Sequence, residues 1–291
     1  MAETGSATMS RPDMIYTDLP EGFGVVAKPL SLWERLADNP VVRKGMILVG
    51  LALIWQAYAV WLNNPLLFPT FTDTAAAFFA AVRTGEITNA TFHSVGLLLQ
   101  GYALGLLFAG LATALAITTR VGADLLDTLT SMFNPLPSIA LLPLAMIWFG
   151  LGEGSIIFVL IHAVLWSVAL NTHSGFRSVS PTWRMVGQNY GLSQIAYVTK
   201  ILIPGALPSI LTGLKIGWAF AWRTLIAAEL VFGVSSSGGG LGWYIFQNKN
   251  MLEIPNVFAG LLMVIVFGLL VDNLVFRTLE RRTIRRWGMQ N

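Results

Sequence analysis

Val257-Phe258-Ala259-Gly260-Leu261-Leu262-Met263-Val264-Ile265-Val266-Phe267-Gly268-Leu269-Leu270-Val271-Asp272-Asn273-Leu274-Val275-Phe276 carries one charge, Asp272, near its end. As a helix rising about 1.5 Å per residue it is long enough to cross a hydrocarbon layer of about 30 Å. Working back along the chain, five more apolar segments lie near 46–62, 94–118, 129–149, 154–173 and 205–232. The pattern predicts an all-α integral membrane protein with about six transmembrane helices.

Composition agrees. Of the 291 residues 55% are hydrophobic and only 11% charged, and the mean hydropathy is +0.66. A soluble domain carries about 25% charged residues, so this chain has too little polar surface to face water. There is no cysteine, which excludes disulfides, thiolate metal sites and cysteine nucleophiles. The sequence pI of about 9.3 does not point to nucleic acid, because the basic residues sit between apolar runs. Their placement follows the positive-inside rule. Arg83 and Lys249 alone fall in the loops opposite the termini, and Lys215 and Arg223 fall within a span. The rest of the 18 basic residues share the side of the termini, which predicts that both termini are cytoplasmic.

Residues 1–42 read as a cytoplasmic segment and not a signal peptide, since Glu3, Asp13, Asp18 and Glu21 interrupt them. Leu30 to Asp38 has a helical pattern with capping-box spacing at Ser31 and Glu34, ended by Asn39-Pro40. It suits an interfacial helix on the membrane surface or an ordinary surface turn. Residues 43–279 form the expected membrane domain and 280–291 a basic cytoplasmic tail. The third segment carries Pro135, Pro137 and Pro143, which predicts a kink or break that neighbouring helices must satisfy. Gly101, Gly105, Gly110 and Ala114 suit close helix packing in the second segment.

Several chemistries find no support. No Gly-x-x-x-x-Gly-Lys-Ser/Thr loop, His-Glu-x-x-His or Gly-x-Ser-x-Gly occurs. Gly22 to Ala27 fits a loose dinucleotide pattern without a strand before it or a helix after it. His93, His162 and His173 are far apart, so no metal site is expected. Ser235 to Gly242 reads as a flexible outer loop. The chain is expected to be neither an enzyme nor the holder of a cofactor.

The inner loop, about 178–204, is the most informative polar stretch. Ser180 is a good N-cap, Pro181 fits the first helical position, and Gly191 suits a left-handed C-cap. Trp183, Val186, Gly187 and Tyr190 share one face of this short helix. Ser193 caps a second helix ending near Pro204. The apolar face of such a hairpin is buried either on its own spans or in the groove of a partner.

Gly191 followed by Ile201-Leu202-Ile203-Pro204 resembles the second half of the Glu-Ala-Ala loop of ABC importer permeases, with Met185-Val186-Gly187 where Glu-Ala-Ala is usual. Pro137-Ser138-Ile139-Ala140-Leu141-Leu142-Pro143-Leu144, Trp148 to Glu153, and Ala221-Trp222-Arg223-Thr224-Leu225-Ile226-Ala227-Ala228-Glu229 are similar to the nitrate, aliphatic sulfonate, taurine and bicarbonate group of that family. The resemblance covers roughly 75–287. It implies a type I importer permease fold in a bacterial inner membrane, with two copies forming the pathway. Two cytoplasmic ABC ATPase subunits, which use ATP and magnesium, would dock at Trp183, Arg184, Met185, Val186, Gly187, Tyr190, Gly191 and Pro204. A periplasmic binding protein would deliver a small anion.

A secondary transporter for a small anion, without an ATPase, is the alternative, but such folds usually show internal repeats and none is visible here. Arg223, Glu229, Pro137 and Pro143 are the candidate pathway residues. Glu229 lies about 240° around the helix from Arg223, so the two do not pair within one copy. Arg223 either offers anions a counter-charge or forms an interhelical ion pair that holds the dimer. Lys215 either pairs with Asp272 or snorkels to the inner interface.

Overall fold

A computed structural model describes residues 39–232 and 239–285. The interfacial helix expected around Leu30 to Asp38, the stretch Gly22 to Ala27, and Ser235 to Gly238 lie outside the described residues, as does the tail from Arg286. Helices are α1 Pro40–Leu62, α2 Phe71–Thr84, α3 Glu86–Thr118, α4 Arg120–Phe133, α5 Leu142–Phe149 and α6 Glu153–Ser178. They continue with α7 Pro181–Asn189, α8 Gln194–Gly205, α9 Leu207–Phe232, α10 Leu241–Asn250 and α11 Ile254–Thr283.

Four of these helices are long and apolar enough to cross a membrane, or up to six if each bent pair counts as one span. The third segment is the clearest departure from a straight rod. α4 stops at Phe133, a short 3-10 turn covers Ser138–Leu141, and α5 follows at 89° to α4. Pro135 and Pro137 cause the break, because neither has an N–H for a helical ladder. A second bend of 73° separates α8 from α9 at Ala206. The other spans are longer than the apolar patterns suggested, because polar residues form their end turns. α2 and α10 are too short to span and were not read as helices from the sequence. Thr70 caps α2 by accepting from the Asp73 N–H at 3.1 Å, and Gly85, at φ 83°, ends it.

The chain divides into two units between Leu51 and Ala52. In the first, Asn39 Oδ1 accepts from the Val41 N–H at 2.9 Å and starts α1 at Pro40. In the second, α6 is the central helix, packed against α3 on one side and α9 on the other. Lipid tails are as apolar as leucine, so contact between such helices depends on close approach. Glycine supplies it. A Cβ on Gly101 would lie 2.5 Å from Leu160 Cβ, and one on Gly105 would lie 2.6 Å from Val164 Cβ. Gly213 meets Asn171 across the other face of α6 in the same way, and Gly175 meets Ser209. Leu98, Val159, Leu160, Val164 and Leu225 are fully buried in this three-helix core. Outward faces are apolar and exposed, as lipid requires.

Lys215 Nζ lies 2.7 Å from Asp272 Oδ1, so α9 and α11 are joined by an ion pair and Lys215 does not simply snorkel. α11 runs through the expected domain boundary at 279 without a break.

Gly105→Val should overpack the seam between α3 and α6 and lower stability by about 1–3 kcal/mol. Gly110→Ala, with open space around its Cβ position, should be neutral. Thermal unfolding in detergent measures both, and equal melting of the two variants would contradict the packing.

Candidate functional site

The inner loop folds as a helical hairpin whose caps follow from its residues. Ser180 Oγ accepts from the Thr182 N–H at 3.3 Å, and Ser193 Oγ accepts from the Ala196 N–H at 3.3 Å. Gly191 takes φ 62°. Its N–H donates to Gln188 O at 2.9 Å, and the Leu192 N–H donates to Gly187 O at 3.0 Å. These are the two bonds of a Schellman cap, which closes α7 and turns the chain into α8. Gly187 is buried because a Cβ there would stand 2.9 Å from Tyr197 Cδ2 and 3.0 Å from Ile201 Cδ1. The face predicted for α7 is therefore divided. Gly187 packs inward on α8, while Trp183, Met185, Tyr190 and Ile195 are exposed. Tyr190 is 81% exposed and Ile195 78% exposed, on a polar hairpin where apolar side chains gain nothing from water. Behind the hairpin lies a cavity of about 670 Å³ edged by His173 and Arg177 of α6. Asp127 of α4 reaches both, at 3.4 Å from each. Pro204 sits in the last turn of α8, just before the bend at Ala206.

Arg223 and Pro137 meet at a second cavity, of about 360 Å³, at the bend of the broken span. Arg223 Nε donates to Ala219 O at 3.0 Å, and its guanidinium carbon stands 5.1 Å from the Phe220 ring centroid. It makes no ion pair with a carboxylate among the described residues. His162 and Trp166 line the same cavity. Ser138 Oγ and His162 Nδ1 are 3.0 Å apart, whereas His162 Nε2 and Trp166 Nε1 are buried with no partner among the described residues. Trp166 stacks on Phe133 at 5.3 Å. Pro143 is exposed on α5 and is not part of this lining.

Glu229 does not line the Arg223 cavity either. It is 4% exposed and accepts from Ser94 Oγ, at 2.7 Å to Oε1 and 2.8 Å to Oε2. The Gly242 N–H donates to its Oε2 at 2.7 Å, and the Leu241 N–H donates to Ser94 Oγ at 2.8 Å. Glu229 and Ser94 together satisfy two of the free N–H groups at the start of α10, those of Gly242 and Leu241, where negative charge is also favoured by the helix dipole. Gly240 and Gly242 are required by space, since a Cβ on either would strike the Glu229 side chain. The end of the glycine-rich segment, expected as a flexible loop, is thus a buried cap. Sequence reasoning missed Ser94 because it stands 135 residues from Glu229. The Gly-Leu-Gly at 240–242 following a membrane glutamate was the one available signal. Among the described residues no group of three or more His, Asp or Glu side chains is arranged to hold a metal.

Known proteins share this chain's pattern. The profile described as binding-protein-dependent transport system inner membrane component matches residues 101–285. A putative ABC transporter permease protein of Methanocaldococcus jannaschii is 31% identical over 76% of this chain and 83% of its own. The taurine transport system permease protein of Escherichia coli is 31% identical over 82% of this chain and 86% of its own. The putative aliphatic sulfonates transport permease protein of the same species is 30% identical over 82% and 89%.

Ser94→Ala should leave the Leu241 N–H unpaired and remove one donor from Glu229, at a cost of about 1–3 kcal/mol for each buried group left unsatisfied. Hydrogen exchange at the start of α10 should rise in this variant. Unchanged protection of 241–244 would show that the cap does not hold the helix.

Proposed function

The chain belongs to the binding-protein-dependent transport system inner membrane components, and on that premise we propose that two copies form the pathway of an importer for a small oxyanion of the sulfonate or nitrate type. As a member it is the multi-pass inner-membrane permease subunit of an ABC transporter and not an enzyme. In our reading a periplasmic binding protein delivers the anion, two cytoplasmic ATPase subunits bind and hydrolyse ATP with magnesium, and both termini face the cytoplasm. The relatives that transport aliphatic sulfonates and taurine support the substrate class.

The observation that carries this reading is the capped hairpin with its outward apolar side chains. Trp183, Met185 and Tyr190 would enter a groove of the ATPase, with Arg184 and Val186 beside them on α7. Gly187 and Gly191 would hold the hairpin in shape. Closure of the ATPase dimer on ATP would then draw the two hairpins together. Pro204 and the bend at Ala206 would pass that movement to α9, which carries Arg223. The permease thus acts as a two-state element whose equilibrium the ATPase biases. Arg223 with Pro137 would border the pathway, Pro143 would stiffen α5 beside it, and Glu229 would brace its outer side through α10.

The test is uptake of labelled taurine into vesicles holding the permease and its ATPase, with binding protein outside. ATP-dependent uptake is expected. Uptake driven by an ion gradient without the ATPase would favour a secondary transporter instead. Gly191→Val adds a β-branched side chain at φ 62°, at a cost of about 1–2 kcal/mol in backbone strain. No neighbour obstructs the new Cβ, so the effect should stay within the hairpin. The variant should insert normally and copurify several-fold less ATPase. Wild-type recovery of the ATPase would reject the docking assignment.

A further inference from the structure

We propose that the C-terminal end of α11 is a binding surface for anionic phospholipid, with Arg277, Arg281 and Arg282 holding the headgroup phosphate. Such a surface requires only that α11 crosses the membrane, and it is independent of the anion that the importer carries.

α11 runs from Ile254 to Thr283 and is long and apolar enough to span. At about 1.5 Å per residue, its first 20 or so residues fill a hydrocarbon layer of about 30 Å. Arg277 then lies about 5 Å beyond that layer and Arg281 about 10 Å beyond it. Headgroups occupy about 5–7 Å on each side of the hydrocarbon, so long arginine side chains from these positions reach the phosphates. The tilt of about 20° usual for a spanning helix brings them closer still.

The surroundings of the three arginines are those of a membrane boundary. Arg277, Arg281 and Arg282 are exposed, and so are Leu274, Val275 and Leu279 before and between them. Water around those apolar side chains is unfavourable, whereas the upper part of an acyl chain covers them. One lipid molecule thus matches both features, with its chain on the leucines and its phosphate on the guanidinium groups.

The charge is also available. None of the three arginines lies within ion-pair distance of a carboxylate among the described residues. Arg277 Nη1 donates to Asn273 Oδ1 at 3.4 Å, which leaves four of its five N–H donors. Asp272, the nearest acid on the N-terminal side, is held by Lys215 at 2.7 Å. Glu280 is the one acid in the sequence from Asn273 onward, against Arg277, Arg281, Arg282, Arg285 and Arg286. A phosphate diester offers a guanidinium fork paired acceptor oxygens and one negative charge. In phosphatidylcholine the choline cancels that charge, so a cluster of arginines beside a span selects the anionic headgroup.

Native mass spectrometry of the full-length permease in neutral detergent tests the surface. The probes are equal amounts of dioleoyl-phosphatidylglycerol and dioleoyl-phosphatidylcholine, which differ in head charge but not in chains. Wild type should retain phosphatidylglycerol at least about tenfold over phosphatidylcholine. Arg277→Gln combined with Arg281→Gln should lower that preference about three- to fivefold for each arginine removed, and the paired lysine substitutions should keep most of it. Arg43→Gln combined with Lys44→Gln takes the same amount of exposed charge from α1 and should leave the preference unchanged. Equal retention of the two lipids by wild type, which needs no variant to detect, would overturn the proposal. So would wild-type preference in the Arg277 and Arg281 double variant, or an equal loss in the α1 variant, which would mark diffuse surface charge. Displacement of the lipid by glycerol 3-phosphate would reject it in favour of a soluble-phosphate site. Loss of ATPase copurification from the Arg277 and Arg281 variant, with its lipid preference intact, would reject it in favour of a protein contact.

Discussion

A carboxyl group on a helix in lipid persists only where donors close around it, and the placement of α10 follows from how Glu229 is closed in. Its partners come from two elements. Ser94 on α3 donates to it, the Gly242 N–H of α10 donates to it, and Ser94 in turn accepts from the Leu241 N–H. One buried cluster therefore satisfies a carboxylate and the exposed end of a helix dipole together. It also fixes where α10 begins, and so how the chain returns from α9 towards α11. Gly240 and Gly242 are the spatial condition for this arrangement, because the carboxylate lies against the backbone itself.

The same balance of burial and partners explains why charges on α9 have such different surroundings. Lys215 pairs with Asp272 across to α11. Glu229 is enclosed. Arg223, between them, meets its own helix carbonyl and an aromatic ring and has no carboxylate partner among the described residues. Its side of α9 faces the break in the span formed by α4 and α5, where prolines have removed backbone donors. An opening within the bundle thus lies between a proline pair on one span and an arginine on another. Around it the bundle is held by glycine seams on both sides of α6, which bring helices close without any help from the hydrophobic effect.

At the other end, the hairpin of α7 and α8 separates two tasks that its sequence mixes. Gly187 and the Schellman cap at Gly191 give the hairpin a defined shape from within. The apolar side chains left outside are free for contact with another protein. A 73° turn then sets α9 at a steep angle to α8.

Much of this was legible in order of strength of signal. Apolar length determined the membrane class, because lipid admits only helices or closed barrels and the runs have no strand alternation. Proline determined the break in the third span, and the Ser180, Pro181 and Gly191 positions determined the hairpin, since caps act within a few residues. Tertiary structure alone decided what depends on distant partners. The sequence could not show that Ser94 meets Glu229, that His162 and Trp166 stand beside Arg223, or that a glycine-rich segment ends in a buried cap. Such choices arise from the geometry of helices packed together, and a helix pattern records which residues are apolar without recording which neighbour each one will meet.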